Sequence, residues 1–132
     1  VYNKACHATG RGEVLTPIEL DLSKYQFLLV HPGKHISTAW AFQQLTPHTK
    51  SESIKSIIQK PISEWKALLI NDFEAPIFEA HPLIASLKEF LYKEGAIYAS
   101  MSGSGSSLFG IFPKDKTIVA PSFAPSIRID TI

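Results

Sequence analysis

The segment Gly103-Ser104-Gly105-Ser106-Ser107 contains the residues of this 132-residue chain that are best suited to binding chemistry. Alternating glycines allow backbone N–H groups to point into a concavity that holds a phosphate or diphosphate. The segment lacks the Lys-Ser/Thr pair of a Walker A motif, does not complete a GxGxxG pattern, and precedes no predicted helix whose dipole would assist. These residues alone leave two interpretations open, a structural hairpin loop and an anion contact, and the first is favoured.

Other side chains capable of chemistry are better explained by structural roles. His31 and His35 flank a Pro-Gly turn with no third metal ligand nearby, so a turn is favoured over a metal or acid/base cluster. His7 follows Cys6, but no third group that would orient a catalytic pair can be identified. Residues 71–74 (Asn-Asp-Phe-Glu) suit either Mg²⁺ or a helix cap, and the cap is favoured. We therefore assign no catalytic residue and no metal ligand.

The aromatic side chains have two interpretations as well. Trp40, Phe42 and Trp65 fall within predicted helices, on the apolar side. Large aromatic residues at such positions are more often core than a platform for a ligand. From the residue pattern alone, core packing is favoured for all three.

The strand pattern places the glycine segment at the tip of a hairpin. Residues 97–102 and 108–112 are β-type runs on either side of it. Residues 25–30 are almost continuously apolar, which predicts a central strand ending at the 31–33 turn. Residues 14–20 predict an edge strand, because Pro17 cannot donate to a ladder. Residues 117–119 and 126–129 are also β-like.

Helices are predicted between these strands, and each has a candidate first residue. Ser37 is the expected cap of a short helix, and Pro82 is expected in the first turn of the longest helix, which ends at Gly95. The remaining candidates are the capping box Thr49-x-x-Glu52, Ser63, and Asn71 or Asp72. Strands at both ends with helices between them predict an α+β domain over 1–132, an antiparallel β-sheet with helices packed on one face.

Composition and charge exclude several classes of protein. The chain has 13 basic and 12 acidic residues, a net charge of +1, and no basic stripe, so a nucleic-acid or anionic-membrane surface is not expected. The longest purely aliphatic or aromatic run, 27–30, is too short to span a bilayer. The single cysteine, Cys6, indicates a reducing compartment, and we expect a cytoplasmic location.

Five short motifs occur in an order and spacing that resemble one known family. They resemble the C-terminal half of the 4-diphosphocytidyl-2-C-methyl-D-erythritol kinases, of the GHMP kinase superfamily, over about residues 3–112. The Gly-Ser hairpin is common to the superfamily, whereas the first three motifs point to this kinase family. The motifs are Gly12-Glu13-Val14-Leu15-Thr16-Pro17-Ile18, Leu29-Val30-His31-Pro32-Gly33, Ser37-Thr38, Asn71-Asp72-Phe73-Glu74 and Met101-Ser102-Gly103-Ser104-Gly105.

The resemblance implies a ferredoxin-like GHMP kinase C-terminal domain on the substrate side of a cleft. The complete protein is then expected to phosphorylate the 2-hydroxyl of a cytidine-diphosphate-linked methylerythritol in non-mevalonate isoprenoid biosynthesis. ATP and Mg²⁺ would be bound mainly by an N-terminal domain that this chain lacks, which also supplies the catalytic Asp and Lys. The chain begins at Val1 without a methionine, so we expect a processed protein or an excised fragment that is inactive by itself.

The resemblance also implies which residues bind substrate. Phe42 matches the aromatic residue that stacks on cytosine, and Thr38 matches a hydroxyl position near the phosphates. Gly103, Ser104 and Gly105 match the hairpin that closes over the acceptor. Beyond residue 112 the resemblance weakens, because the proline-punctuated sequence of 113–132 lacks the helical pattern that the family has there.

Two alternative functions belong to different classes. The generic hairpin is compatible with another GHMP small-molecule kinase, such as one acting on homoserine or mevalonate. The missing catalytic residues are compatible with a non-catalytic α+β ligand-binding module. An exposed cleft face would in addition favour self-association of the isolated chain.

Overall fold

The computed structural model describes residues 4–46, 52–118 and 128–131. None of the helices in these ranges has the length and apolar content needed to cross a bilayer. The elements, in chain order, are β1 (Cys6–Thr9), β2 (Val14–Pro17), β3 (Tyr25–His31), α1 (Thr38–Gln43), α2 (Ile54–Ile57), α3 (Ile62–Leu68), α4 (Glu74–Ala80), α5 (Pro82–Lys93), β4 (Tyr98–Met101), β5 (Leu108–Pro113) and β6 (Arg128–Thr131).

The main sheet is antiparallel and has the strand order β4-β5-β3-β6. The predicted central strand is β3, which pairs with β5 through Val30↔Leu108 and with β6 through Val30↔Ile129. The predicted hairpin around the glycine segment is β4–β5, with Met101 opposite Leu108. Both predictions are confirmed, and together they place the end of β3 beside the glycine loop.

A separate two-stranded sheet precedes the main one. The predicted strand at 14–20 is present as the shorter β2, which pairs antiparallel with β1 from Cys6↔Pro17 to Thr9↔Val14. The sequence analysis missed β1, whose four residues, Cys-His-Ala-Thr, carry no clear alternation of apolar and polar residues.

Helices pack against both faces of the main sheet, on separate cores. On one face, α4 and α5 contribute Ile77, Leu87 and Leu91 to a cluster with Ala99 and Phe112. On the opposite face, where the alternate strand residues point, Ile57 of α2 and Trp65 of α3 pack with Tyr98 and Ile111. The antiparallel α+β fold is confirmed, but the helices are not confined to one face, since the short apolar runs of α2 and α3 also require burial.

The predicted helix starts differ from the structure at two helices. Ser37 caps α1 as predicted, its Oγ accepting from Trp40 N at 3.3 Å. The predicted box residue Thr49 lies outside the described residues, and α2 is capped instead by Ser53, whose Oγ accepts from Ser56 N at 3.2 Å. The predicted cap Ser63 is wrong: it is the second residue of α3, which Pro61 precedes.

The predicted starts of the later helices agree more closely with the structure. Asn71 Oδ1 accepts from Phe73 N at 3.0 Å, and α4 begins at Glu74, so Asn71 orders the approach to the helix without being its N-cap residue. Pro82 is the first residue of α5. Gly95 follows that helix with φ 97°, a left-handed conformation that commonly terminates helices.

The outer edge of β4 is closed by side chains. The Tyr92 hydroxyl donates to Ala99 O and accepts from Ala99 N, both at 3.2 Å. Glu74 Oε1 accepts from Met101 N at 2.8 Å, and Asn71 Nδ2 donates to Met101 O at 2.8 Å. An uncovered strand edge is a template for pairing with another chain, so these side chains protect β4 and fix it to the helices.

Part of the tail belongs to the main sheet, and the question of a helix at 119–127 lies outside the described residues. β6 lies antiparallel to β3, with Arg128 opposite His31, which confirms the β-type prediction for 128–129. Thr117 and Ile118 are not in a strand, so the prediction at 117–119 fails for those two residues; Val119, like 126–127, lies outside the described residues.

Candidate functional site

The glycine loop, residues 102–107 between β4 and β5, has a conformation that requires glycine. Gly103 has φ 56° and Gly105 has φ 87°, both left-handed. A Cβ on Gly105 would lie 2.7 Å from Met101 Sδ and 3.2 Å from Ile36 Cδ1. Gly105 N donates to Ser102 O at 3.0 Å, and this bond closes the turn. The alternating glycines therefore allow the chain to turn tightly against the buried side chains beneath it.

The glycine loop leaves several backbone donors available. In the part of the chain that the structure describes, the backbone N–H groups of Gly103, Ser104 and Ser106 donate no hydrogen bond. Ser102 N, by contrast, donates to Ser107 O at 2.8 Å across the base of the loop. Unpaired N–H groups in a short loop give it the capacity to bind an anion.

Residues of the 31–35 turn form hydrogen bonds with the glycine loop. His31 Nδ1 lies 2.9 Å from Ser107 Oγ, and the Ser106 hydroxyl donates to Lys34 O. The histidine thus connects the end of β3 to the loop, in agreement with the turn interpretation. These contacts also bring the segment that carries Lys34 and His35, two exposed basic residues, next to the loop.

The first residue of α1 makes direct contact with the loop. Capping by Ser37 starts the helix at Thr38, whose Oγ1 lies 3.2 Å from Ser104 Oγ. Two hydroxyls and the backbone donors of the loop therefore lie close together. Both hydroxyls can donate to, or accept from, a polar ligand group.

Phe42 lies one helical turn after Thr38 and is 60% exposed. Its ring contacts that of Phe73 edge to face, with centroids 5.0 Å apart and an interplanar angle of 82°. The preference for a core role was therefore wrong for Phe42, whereas Trp65 is buried in the core. The Phe42 ring is supported by a neighbouring aromatic residue, and much of it remains open to solvent.

Asn71 connects the aromatic pair, Phe42 and Phe73, to the glycine loop. Its Nδ2 donates to Met101 O at 2.8 Å and to Gly103 O at 2.9 Å, while its Oδ1 accepts from Phe73 N. The five residues implied by the family resemblance are therefore linked: Thr38 contacts Ser104 directly, Phe42 connects to Gly103 through Phe73 and Asn71, and Gly105 belongs to the same loop.

Sequence reasoning missed Asn71 and Phe73 as parts of this site. It treated Asn71 as a candidate helix cap, which accounts for its bond to Phe73 N but not for the bonds to residues 30 and 32 positions later. A local pattern cannot show such long-range partners. The signal that the sequence did contain was the Asn71-Asp72-Phe73-Glu74 motif, one of the five on which the family resemblance rests.

A cavity of about 520 Å³ lies beside Asn71. It lies between the chain that follows α1 and the first turn of α4, and its lining includes Leu45, Ile70, Asn71 and Asp72. Its volume falls within the range typical of small-molecule sites.

The other chemical candidates lie in structural positions. Glu74 is 6% exposed; its Oε2 pairs with Lys88 Nζ at 2.5 Å and its Oε1 accepts from Met101 N. Across residues 4–46, 52–118 and 128–131, no three His, Cys, Asp or Glu side chains lie together as a metal would require. Cys6 Sγ contacts Lys4 O at 3.5 Å, and among the described residues His7 Nδ1 has no hydrogen-bond partner.

Burial perturbs two tyrosines at the β4 edge. Burial, with a smaller contribution from the nearby Glu74 charge, raises the pKa of Tyr98 to about 12. Burial also raises the pKa of Tyr92. Both side chains are therefore neutral hydrogen-bonding groups at neutral pH, which suits their structural contacts with backbone carbonyls.

Comparison with known proteins gives three principal matches. Residues 53–120 match the family model described as GHMP kinases C terminal. The chain is 44% identical over 131 residues to a 4-diphosphocytidyl-2-C-methyl-D-erythritol kinase of Bacteroides fragilis, a match covering 99% of this chain and 48% of that protein. It is 50% identical over 115 residues to the protein of the same name from Azobacteroides pseudotrichonymphae, covering 86% and 43% respectively.

A solved structure shows the same fold. The crystal structure of a 4-(cytidine 5'-diphospho)-2C-methyl-D-erythritol kinase superposes with a TM-score of 0.67 at 24% identity, over 80% of this chain and 40% of that chain. This chain spans about half the length of the curated relatives that it matches.

Proposed function

This chain belongs to the GHMP kinase C-terminal family, and we propose that it is the acceptor-side part of an ATP-dependent 4-diphosphocytidyl-2-C-methyl-D-erythritol kinase. Relatives with that name are 44% and 50% identical to it. The observation that carries the proposal is the contact between Thr38 and Ser104, because it joins the helix that carries Phe42 to the glycine loop. An aromatic face and a set of polar donors thereby belong to one connected site.

The cytidine diphosphate of the acceptor fits both parts of this site. Cytosine stacks on the exposed ring of Phe42, a type of contact that contributes about 1–3 kcal/mol. The diphosphate accepts hydrogen bonds from the hydroxyls of Thr38 and Ser104 and from the free N–H groups of Gly103 and Ser104. These donors are fixed before the substrate arrives, so binding requires little reorganisation.

Phosphoryl transfer depends mainly on positioning and on neutralisation of charge. In our proposal this chain positions the acceptor. As the resemblance to these kinases implies, ATP and Mg²⁺ are bound mainly by an N-terminal domain of the complete protein, which also supplies the groups that act on the acceptor hydroxyl. The 132-residue chain alone is then inactive, and the complete enzyme acts in the cytoplasm.

The proposal is tested on the complete protein that contains this chain. Purified enzyme is incubated with ATP and one acceptor at a time: 4-diphosphocytidyl-2-C-methyl-D-erythritol, homoserine or mevalonate. We expect a new phosphomonoester signal in ³¹P NMR with the cytidine-linked acceptor alone. Turnover of homoserine or mevalonate instead would assign another GHMP kinase activity, and turnover of none would favour a non-catalytic ligand-binding module.

We also propose that the isolated chain self-associates weakly through the face that carries Phe42. The ring of Phe42 and the side chain of Ile70 are each more than half exposed, and in the complete enzyme this face would border the cleft. Sedimentation velocity over a range of concentrations should show a rising sedimentation coefficient that Phe42→Ser reduces. A coefficient independent of concentration contradicts this proposal.

A further inference from the structure

We infer that Asn71 is a positioning residue, which orients the glycine loop for substrate and sets it relative to the aromatic pair. This inference rests on the proposed function. Asn71 uses both of its side-chain N–H groups and its carbonyl oxygen: the N–H groups donate to Met101 O and Gly103 O at 2.8 and 2.9 Å, and Oδ1 accepts from Phe73 N at 3.0 Å. One short side chain therefore holds both parts of the candidate site.

The bond to Gly103 O determines where a key donor points. The Gly103–Ser104 peptide is trans, so the C=O of Gly103 and the N–H of Ser104 point in opposite directions. With the carbonyl held toward Asn71, the N–H of Ser104 is directed away from Asn71, and it donates no hydrogen bond within the described part of the chain. Glycine at position 103 has few steric barriers to rotation of this peptide, so an external anchor is needed to fix it.

The chemistry of the primary amide explains why asparagine suits this position. An amide nitrogen supplies two N–H donors to two carbonyls, while the oxygen on the same planar group remains an acceptor. Aspartate has the same shape but is an acceptor on both sides, so its carboxylate would face the carbonyl oxygens of Met101 and Gly103. Alanine would remove the hydrogen-bond donor of these two carbonyls, but it would not place a negative charge beside them.

The β4 edge provides a matched control. The hydroxyl of Tyr92 makes two hydrogen bonds to the backbone of Ala99 on the same strand edge, and within the described part of the chain it makes none to the glycine loop. Tyr92→Phe therefore removes a comparable side-chain anchor of β4. If the role of Asn71 were purely structural, its variants would, like Tyr92→Phe, lower Tm without changing the kinetic constants.

The experiment compares Asn71→Asp, Asn71→Ala and Tyr92→Phe in the complete protein. We expect Asn71→Asp to reduce kcat/KM for the cytidine-linked acceptor by about 10-fold to 100-fold, because the backbone N–H of Ser104 is misplaced. KM for ATP should remain unchanged. Asn71→Ala should have a smaller effect in the same direction. Tyr92→Phe should lower Tm while leaving both kinetic constants at the wild-type values. Asn71 variants that lower Tm but keep wild-type kinetics would overturn the inference.

A second measurement does not depend on activity. Hydrogen–deuterium exchange of peptides covering 101–107 should accelerate in both Asn71 variants and remain unchanged in Tyr92→Phe. Unchanged exchange in this segment would overturn the inference, and if Asn71→Asp does not fold, Asn71→Ala decides it. A wild-type enzyme that ignores the cytidine-linked acceptor would instead refute the proposed function, and the exchange data would still test the positioning role.

Discussion

The hydroxyl oxygens of Thr38 and Ser104 lie 3.2 Å apart, although 66 residues separate them in the sequence. The contact joins the first residue of α1 to the tip of the β4–β5 loop. Thr38 is exposed and Ser104 is half-buried, so this bond competes with water and contributes little to folding. The contact brings two hydroxyls together at the junction of a helix and the glycine loop, and the proposed function assigns both to the acceptor.

We predict that Thr38→Val and Ser104→Ala each raise KM for the cytidine-linked acceptor in the complete enzyme. Each should lower the free energy of unfolding by less than about 1 kcal/mol, since the bond is solvent-accessible. A double-mutant cycle on kcat/KM should show coupling, because each substitution removes part of one contact network. Strictly additive effects on kcat/KM would contradict a shared contact.

Phe42→Ala should raise KM for the cytidine-linked acceptor by roughly 10-fold and change KM for ATP much less, because stacking on the base is lost. The Phe42 ring is 60% exposed, so stability should fall only slightly. Steady-state kinetics with each substrate varied in turn provides the measurement. Leu83→Ala is the matched control, since Leu83 is 49% exposed and lies in the first turn of α5, on a different element from α1 and the glycine loop. Equal changes in the two KM values would count against stacking at Phe42.

The two loop glycines should respond differently to alanine. Gly105→Ala places a Cβ 2.7 Å from Met101 Sδ at a left-handed φ of 87°, and we expect it to reduce the free energy of unfolding by about 2–4 kcal/mol. A Cβ on Gly103 meets nothing within 4 Å, so Gly103→Ala should cost only about 1 kcal/mol of conformational strain. Urea unfolding of the 132-residue chain measures both. Equal losses would mean that the loop relaxes away from Met101.

The strands that carry strong local signals could be predicted from the sequence. The continuous apolar run of β3 and the β4–Gly/Ser–β5 hairpin are local patterns, and both are present in the sheet. The strand β1 and the first residues of α2 and α3 could not be predicted, because tertiary contacts outweigh weak local propensity there. Burial of Trp65 against Tyr98, for example, stabilises α3 although no side chain caps its first turn.

The candidate site was predictable where residue type or the family motifs carry information. Residue type alone pointed to the glycine loop and to the cap Ser37, whereas Thr38, Phe42 and Ser104 became candidate site residues through the family resemblance. The role of Asn71 depends on carbonyls 30 and 32 residues away, and the support of Phe42 by Phe73 depends on the packing of α1 against the start of α4. Such partners are set by the assembled fold, which a single sequence does not display.

Alkaline pH should destabilise the chain through Tyr98. Its hydroxyl donates to Leu69 O at 2.8 Å, the side chain is 4% exposed, and burial raises its pKa from 10.0 to about 12. The unfolded state therefore loses this proton at a lower pH than the folded state. The stabilising contribution is complete below pH 10, and it is lost as the pH rises from 10 towards about 12.

The difference between the two pKa values corresponds to roughly 2–3 kcal/mol of stability that disappears across this range. Urea unfolding of the wild-type chain should therefore give a falling free energy between pH 10 and 12, and Tyr98→Phe should flatten that fall. At neutral pH Tyr98→Phe should still cost about 1 kcal/mol, because Leu69 O loses its donor. A parallel loss of stability above pH 10 in the wild type and in Tyr98→Phe would mean that a different group titrates in this range. The hydrogen bond from Tyr98 to Leu69 O would then not explain the pH dependence.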